Sequence, residues 1–212
     1  MLILKSGAAA LLMTLGLISS AYSASDKDAC FTGAWDDTGI AACDRAIDGG
    51  TLKGHDLVRA HYERGRKYHG MGRLSEANKD YSSAIELDPK WAWPYVARGH
   101  AYADKKDFER AFADQETAIK LEPSAVTYTG RAMDLMAAGA YDRAIADLDE
   151  AVRLNPKYFY GQVRRGDTYM KKRDFAQAEI EYRKALELAA GDDDKESEAK
   201  EGLRRAKGRI TD

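Results

Sequence analysis

Apolar residues recur at steps of three and four along most of this chain, and polar residues fill the positions between them. This spacing places apolar side chains on one face of an α-helix. From His55 onward the pattern predicts consecutive units, each made of two helices joined by a short turn. In the first unit the turn falls around Gly70 to Arg73. The four predicted units span residues 55–89, 90–123, 124–156 and 157–190.

The units share a period of 33 or 34 residues. An arginine followed by Gly or Ala marks the same position in each unit: Arg64, Arg98, Arg131 and Arg165. Two alanines follow at constant spacing, such as Ala77 and Ala84, and three of the units end on proline. Because small side chains let helices approach to about 8–10 Å, the pattern predicts closely packed helix pairs. Asp107 and Asp174 each precede an apolar helical run and are predicted N-caps.

A period of about 34 residues with Gly-x-x-Tyr, then Ala, then Pro resembles the tetratricopeptide repeat (TPR). The resemblance covers residues 56–190 and implies an all-α, right-handed α-solenoid of four TPR units. The segment from Ile40 to Ile47, with Cys30 upstream, resembles the leader segment of exported TPR proteins of Gram-negative bacteria. There it implies a short helix stacked on the first repeat. The chain departs from the family at its early Trp position, which holds His61, Tyr95, Tyr128 and Gln162.

The two ends of the chain have a different composition from the repeats. Residues 1–24 combine Lys5, an apolar run and small residues, the layout of a secretory signal peptide that is removed; an uncleaved anchor helix is the alternative. The predicted location is therefore periplasmic or secreted. Residues 25–54 are expected to form the N-terminal helix segment, and residues 191–212 a C-terminal capping helix. A disordered charged tail is the alternative for that last segment.

The chain has two cysteines, Cys30 and Cys43, both just after the predicted cleavage region. In an oxidising compartment an even number of cysteines favours a disulfide. The alternative is a pair of buried thiols.

Charge and motifs narrow the classes of function. The chain carries 33 basic and 35 acidic residues, so it lacks the basic excess typical of nucleic-acid-binding domains. No stable membrane span is expected after signal cleavage. The four histidines lack the spacing of a helical metal site, and no phosphate-binding loop or nucleophile elbow is present. We therefore predict neither cofactor nor metal, and a protein that is not an enzyme.

The family resemblance also implies a binding surface. TPR proteins hold peptides or protein segments on a concave surface lined by the first helix of each repeat. Carried over to this sequence, that surface has the following candidate contact residues: Arg59, Tyr62, Arg66, Trp93, Val96, His100, Met133, Tyr160, Arg164 and Asp167. The Asn positions of the family's clamp for a peptide C-terminus are absent, so such a clamp is not expected.

The four repeated arginines are open to a functional or a structural interpretation. Each is followed sixteen residues later by an acidic residue: Asp80, Asp114, Asp147 and Glu181. That spacing places one partner on each helix of the same unit. We therefore predict a ladder of ion pairs between the paired helices, in preference to a basic binding surface.

Taken together, the patterns favour a protein- or peptide-binding adaptor or scaffold in the cell envelope that binds through the concave TPR surface. One alternative is a structural or self-associating subunit that uses its convex face or its ends. Another is an accessory of envelope enzymes that binds glycans through its aromatic residues. The sequence leaves the oligomeric state open.

Overall fold

The computed structural model of the protein describes residues 26–210, and over that span the chain forms eleven helices and no strand. The predicted all-α fold class is confirmed for these residues. The predicted signal peptide lies outside them. The chain divides into two compact units, one ending at Pro89 and one beginning at Lys90.

The first unit contains four helices. They are α1 (residues 26–32), α2 (Asp37–Asp48), α3 (His55–Gly70) and α4 (Leu74–Leu87). Helices α3 and α4 form a pair, and α2 packs on α3. The Asp36 side chain starts α2 by accepting hydrogen bonds from the backbone N–H groups of Thr38 and Gly39, at 2.9 and 3.1 Å. This cap satisfies donors that have no partner within the helix.

A disulfide between Cys30 and Cys43 joins α1 to α2, as the sequence predicts, with the two Cα atoms 4.5 Å apart. Both cysteines are fully buried, and they pack with Ala46 of α2 and Ala60 of α3. The bond therefore holds the short helix α1 in a small apolar core that α1 has too few residues to form alone.

Replacing both Cys30 and Cys43 with Ala should destabilise the first unit by about 3 kcal/mol, because the bond removes loop-closure entropy from the unfolded chain. Hydrogen exchange should show faster opening of α1 and α2. Exchange in the last three helices of the second unit, residues 159–210, serves as the internal control and should not change. Unaltered protection of α1 in the variant would contradict this role.

The second unit continues the pairing of helices. It contains α5 (Ala92–Asp104), α6 (Phe108–Leu121), α7 (Ala125–Ala137), α8 (Tyr141–Leu154), α9 (Phe159–Lys172), α10 (Phe175–Leu188) and α11 (Asp193–Ile210). Helices α5 and α6, α7 and α8, and α9 and α10 are pairs, and α11 packs on both α9 and α10. Asp107 and Asp174 cap α6 and α10 as predicted. Ser124 and Thr127 form a capping box at the start of α7, in addition to the predicted caps.

Small residues lie where the paired helices meet. The two repeated alanines are fully buried in each pair of the second unit: Ala111, Ala118, Ala144, Ala151, Ala178 and Ala185. Tyr182 of α10, also fully buried, fills the space beside two glycines. A Cβ atom added at Gly166 of α9 would lie 2.9 Å from the Tyr182 ring, and one added at Gly202 of α11 only 2.4 Å from it. Tyr182 therefore fixes how closely α9 and α11 approach α10.

Gly202→Ala should destabilise the second unit by about 1–3 kcal/mol, because the new methyl group overpacks the site of Tyr182. Gly208→Ala on the same helix is the matched control, since a Cβ atom there meets nothing within 4 Å. The control should be neutral or stabilise α11 by about 0.5–1 kcal/mol through helix propensity. Urea unfolding followed by circular dichroism measures both, and equal effects at the two positions would refute the packing argument.

None of the helices within residues 26–210 combines the length and apolar character required to cross a bilayer.

A candidate binding face on the first helices

The predicted ladder of ion pairs is present in all four helix pairs. Arg98 on α5 donates from Nε and Nη2 to the two carboxylate oxygens of Asp114 on α6, both at 2.8 Å. Arg131 and Asp147 repeat this geometry at 2.7 Å. The pairs Arg64–Asp80 and Arg165–Glu181 occupy the same positions.

These pairs are partly shielded from water, which distinguishes them from ordinary surface pairs. The four acidic residues are only 4–8% exposed. Burial raises the pKa of Asp80, but hydrogen bonds from Arg64 and His61 outweigh this effect, so that its pKa lies below the usual value. The hydrogen bond to Asp114 raises the pKa of Arg98 above its ordinary value. The ladder thus sets the rotation of each first helix against its second helix.

A double-mutant cycle on Arg98→Ala and Asp114→Ala should give a coupling energy of about 0.5–3 kcal/mol, the range of residues in direct contact. The control cycle uses Glu116 and Lys120 on α6, an ion pair at 2.6 Å whose side chains are 58% and 72% exposed. Its coupling should be much smaller, because solvent screens exposed pairs. Equal couplings in the two urea-unfolding cycles would show that the ladder is an ordinary surface feature.

The first helices α5, α7 and α9 are neighbours in the second unit. Equivalent residues of neighbouring repeats form rows that run across the three helices, because the repeat has a period of 33 or 34 residues. The two rows described here are seven residues apart along each helix, a spacing that keeps both rows on the same face. The first row holds Trp93, Val126 and Tyr160, and the second holds His100, Met133 and Asp167. We call this surface of α5, α7 and α9 the first-helix face.

Three large apolar side chains are exposed on the first-helix face. Trp93 is 37% exposed, Met133 42% and Tyr160 43%. All three were predicted contact residues. Val126 lies in the row between Trp93 and Tyr160 and is half-buried. The face therefore offers apolar area from each of its three helices, which is the kind of surface that aromatic anchors of protein interfaces provide.

His100 is held by a buried polar network. Its Nδ1 lies 2.6 Å from Asp134 Oδ1 on α7. Gln115 Nε2 on α6 donates to Asp134 Oδ2 at 2.6 Å and to the Val96 carbonyl at 3.3 Å. Gln115 is fully buried and Asp134 is 2% exposed. The network fixes the His100 ring at the surface and joins α5, α6 and α7.

Gln115 and Asp134 are not among the residues predicted from the sequence, although the sequence contains a signal for them. The positions equivalent to Gln115 in the other units hold Tyr81, Leu148 and Tyr182, and all are fully buried. A polar residue at a repeat position that is otherwise apolar indicates a buried hydrogen-bond partner. In the structure that partner is Asp134.

Val96 was predicted to contact a partner, but it is buried between helices. It is only 6% exposed and packs with Ala92 and Ala118. A Cβ atom added at Gly130 of α7 would lie 3.4 Å from its Cγ1 atom. Val96 therefore fills the space among α5, α6 and α7, because its position on α5 points between the helices.

Arg164 and Asp167 lie on the first-helix face but contact helix α11. Arg164 donates to Asp167 at 2.8 Å and lies 3.6 Å from Glu198. Asp167 accepts a hydrogen bond from the Tyr182 hydroxyl at 2.7 Å and lies 3.6 Å from Arg205. These two predicted contact residues thus join α9 to α10 and α11, and their side chains are only 32% and 20% exposed.

Two of the three predicted contact residues of the first unit, Arg59 and Arg66, meet the chain's own N-terminal segment. The Arg59 guanidinium lies 4.4 Å from the centre of the Phe31 ring, and that of Arg66 4.8 Å from the Trp35 ring. Tyr62 packs against Tyr81 at 6.1 Å between ring centres. Lys67, which is 2% exposed, donates to the Gly33 carbonyl at 3.0 Å. Helix α1 and the following loop therefore lie on this side of α3.

No group of three or more His, Cys, Asp or Glu side chains within residues 26–210 has the arrangement of a metal site.

Comparisons with known proteins agree with the repeat pattern. A family model described as TPR repeat matches residues 65–106, and two described as tetratricopeptide repeat match residues 94–124 and 129–193. Tetratricopeptide repeat protein 6 of Homo sapiens is 28% identical over 131 residues, which make up 62% of this chain and 25% of that protein. Heat shock protein STI1 of Saccharomyces cerevisiae is 32% identical over 111 residues, or 51% of this chain and 18% of that protein. The chain thus spans a quarter or less of these relatives.

Two further matches are a solved structure and a segment of an enzyme. The crystal structure of a thermophilic TPR protein of Thermus thermophilus superposes with a TM-score of 0.70 at 19% identity, covering 88% of this chain and 99% of that one. At this identity the likeness shows the fold alone. A UDP-N-acetylglucosamine–peptide N-acetylglucosaminyltransferase of Giardia intestinalis is 35% identical over 81 residues, which make up 5% of that enzyme. The family matches, the shared fold and the helix pairs agree, and residues 65–193 of the chain contain tetratricopeptide repeats.

Proposed function

We propose that this protein is a noncovalent scaffold that holds a segment of a partner protein against the first-helix face. Tetratricopeptide repeats generally mediate contacts between proteins. The observation that carries the proposal is the exposure of Trp93, Met133 and Tyr160 on three neighbouring helices. Contiguous exposed apolar side chains on a folded domain are a common mark of an interaction surface.

The partner segment we propose is extended or helical, with apolar side chains that contact these three residues. The ladder of ion pairs and the network around His100 support a rigid face, because each first helix is fixed against its neighbours before the partner arrives. A preformed surface loses little conformational entropy on binding. Binding without catalysis is part of the proposal.

We also propose that the protein acts in the cell envelope after export. The N-terminal sequence pattern supports this location. So does the disulfide between Cys30 and Cys43, since such bonds persist in oxidising compartments and are rare in the cytosol.

The test compares the mature protein with a variant carrying Trp93→Ala, Met133→Ala and Tyr160→Ala. Both are cross-linked in an envelope extract of the source organism, and captured proteins are identified by mass spectrometry. Affinity for the captured partner should fall at least about tenfold in the variant, because buried aromatic anchors dominate interface energies. Circular dichroism should show the same helicity in both proteins.

A matched control carries Leu121→Ala, Leu154→Ala and Ile180→Ala on the second helices. These residues are 39%, 38% and 43% exposed, which matches the exposure of the three test residues. The control should retain the partner. Equal retention in test and control variants would refute binding at the first-helix face. Mass that rises with protein concentration, without any partner, would favour self-association.

A further inference from the structure

A basic cavity lies where the last first helix, α9, meets helix α11. It has a volume of about 550 Å³ and is lined by Met170, Lys171, Arg173, Phe175, Arg205 and Arg209. A neighbouring cavity of about 380 Å³ is lined by Met170, Arg205 and Arg209 as well. We call the larger one the basic cavity. Four of its six lining residues are cationic, although the whole chain has a net charge of -2.

Within residues 26–210, the cations of the basic cavity have few acidic neighbours. Among the residues that the structure describes, Lys171, Arg173 and Arg209 have no acidic side chain within ion-pair distance. Arg205 lies 3.6 Å from Asp167 and 3.9 Å from Glu201, which are long distances for an ion pair. By contrast, Arg98 and Arg131 each have a carboxylate at hydrogen-bonding distance.

Helix ends explain only part of this charge. Lys171 lies in the last turn of α9 and Arg209 in the last turn of α11, where cations interact favourably with helix dipoles. The dipole of each helix explains the cation at its own end. It does not explain why two such ends meet at one cavity, or why Arg173 and Arg205 also line that cavity.

The chemistry of the lining selects a ligand class. Guanidinium groups bind carboxylates through two parallel hydrogen bonds, and the ammonium group of Lys171 adds a further positive charge. Met170 and Phe175 add apolar wall, which a bare inorganic anion would not use. A peptide that carries several carboxylates beside an apolar side chain matches both features.

The position of the cavity also connects it with the first-helix face. Lys171 follows Tyr160 and Asp167 on α9 at spacings of 11 and 4 residues, so that all three lie on one side of the helix. The row that ends at Lys171 begins with Asp104 on α5 and passes Ala137 on α7. Along this row, charge changes from acidic to basic toward α9 and α11.

We propose that the basic cavity binds an acidic segment of the partner peptide, and so sets which end of the partner lies at α9 and α11. The inference rests on the proposed peptide-binding function for the identity of its ligand. It uses residues outside the apolar set of Trp93, Met133 and Tyr160, so that the two sites are tested by different variants.

The probe is a fluorescein-labelled peptide, Glu-Glu-Leu-Glu-Glu, with its C-terminus amidated so that no terminal carboxylate contributes. Fluorescence anisotropy measures its binding to the mature protein and to the variant Lys171→Glu/Arg209→Glu. The variant should bind about tenfold more weakly or worse, since two favourable charge contacts become repulsive. Binding to the unaltered protein should weaken as salt is added.

Two controls separate a built site from general charge attraction. The variant Lys106→Glu/Lys157→Glu makes the same charge change at two exposed positions of the second unit and should bind the probe like the unaltered protein. The peptide Gln-Gln-Leu-Gln-Gln should not bind. Equal loss in both variants, or no binding of the acidic peptide, would overturn the proposal. Displacement by inorganic phosphate at the same concentration as unlabelled peptide would identify a simple anion site and would overturn it too.

The results remain distinguishable from the test of the proposed function. If the acidic peptide fails to bind while partner capture still depends on Trp93, Met133 and Tyr160, the basic cavity is wrong and the scaffold stands. If the acidic peptide binds at Lys171 and Arg209 while partner capture does not depend on the three apolar residues, the proposal for the basic cavity is supported and the proposed binding at the first-helix face is wrong.

Discussion

Close approach of the two helices within each repeat is the constraint on which the other features depend. A Cβ atom added at Gly99 of α5 would lie 2.9 Å from the Gln115 side chain and 3.2 Å from the Ala111 carbonyl of α6. At this position glycine fits, whereas even a methyl group would displace the Gln115 side chain or push the helices apart. Because the helices are this close, an arginine on one reaches an acid on the other with two hydrogen bonds. The ion-pair ladder is thus a consequence of the packing, and it fixes the rotation of each helix.

The fixed rotation decides which side chains face water. Trp93 and Tyr160 lie on the exposed side of the first turn of their helices, whereas Val96, one turn after Trp93, points into the gap between helices. The polar network of His100, Gln115 and Asp134 replaces apolar packing at the centre of the second unit. A buried carboxylate needs partners, and here His100 and Gln115 supply them. The network therefore keeps an imidazole at a defined place on the first-helix face.

The chain covers several of its own candidate contact residues. Phe31 and Trp35 lie against Arg59 and Arg66 in the first unit, and helix α11 engages Arg164 and Asp167 in the second. Residues of the N-terminal segment and of α11 thus contact charged side chains that the family resemblance alone would assign to ligand binding. What remains open on the first-helix face is mainly apolar, and the four cationic side chains of the basic cavity lie beside it.

The sequence by itself determined the helices, their pairing and the arginine–acid ladder. These features repeat at a fixed period, and local spacing along a helix specifies which side chains share a face. It also left only one possible intramolecular pairing of the two cysteines, and the structure shows that bond in place of two buried thiols. The exposure of Trp93, Met133 and Tyr160, the burial of Val96 and the partners of Arg164 were decided by the tertiary structure. So was the basic cavity, whose residues come from α9, α10 and α11 and from the turn between α9 and α10. Each of these depends on how helices distant in sequence pack together, which the local spacing of residues along one helix does not specify.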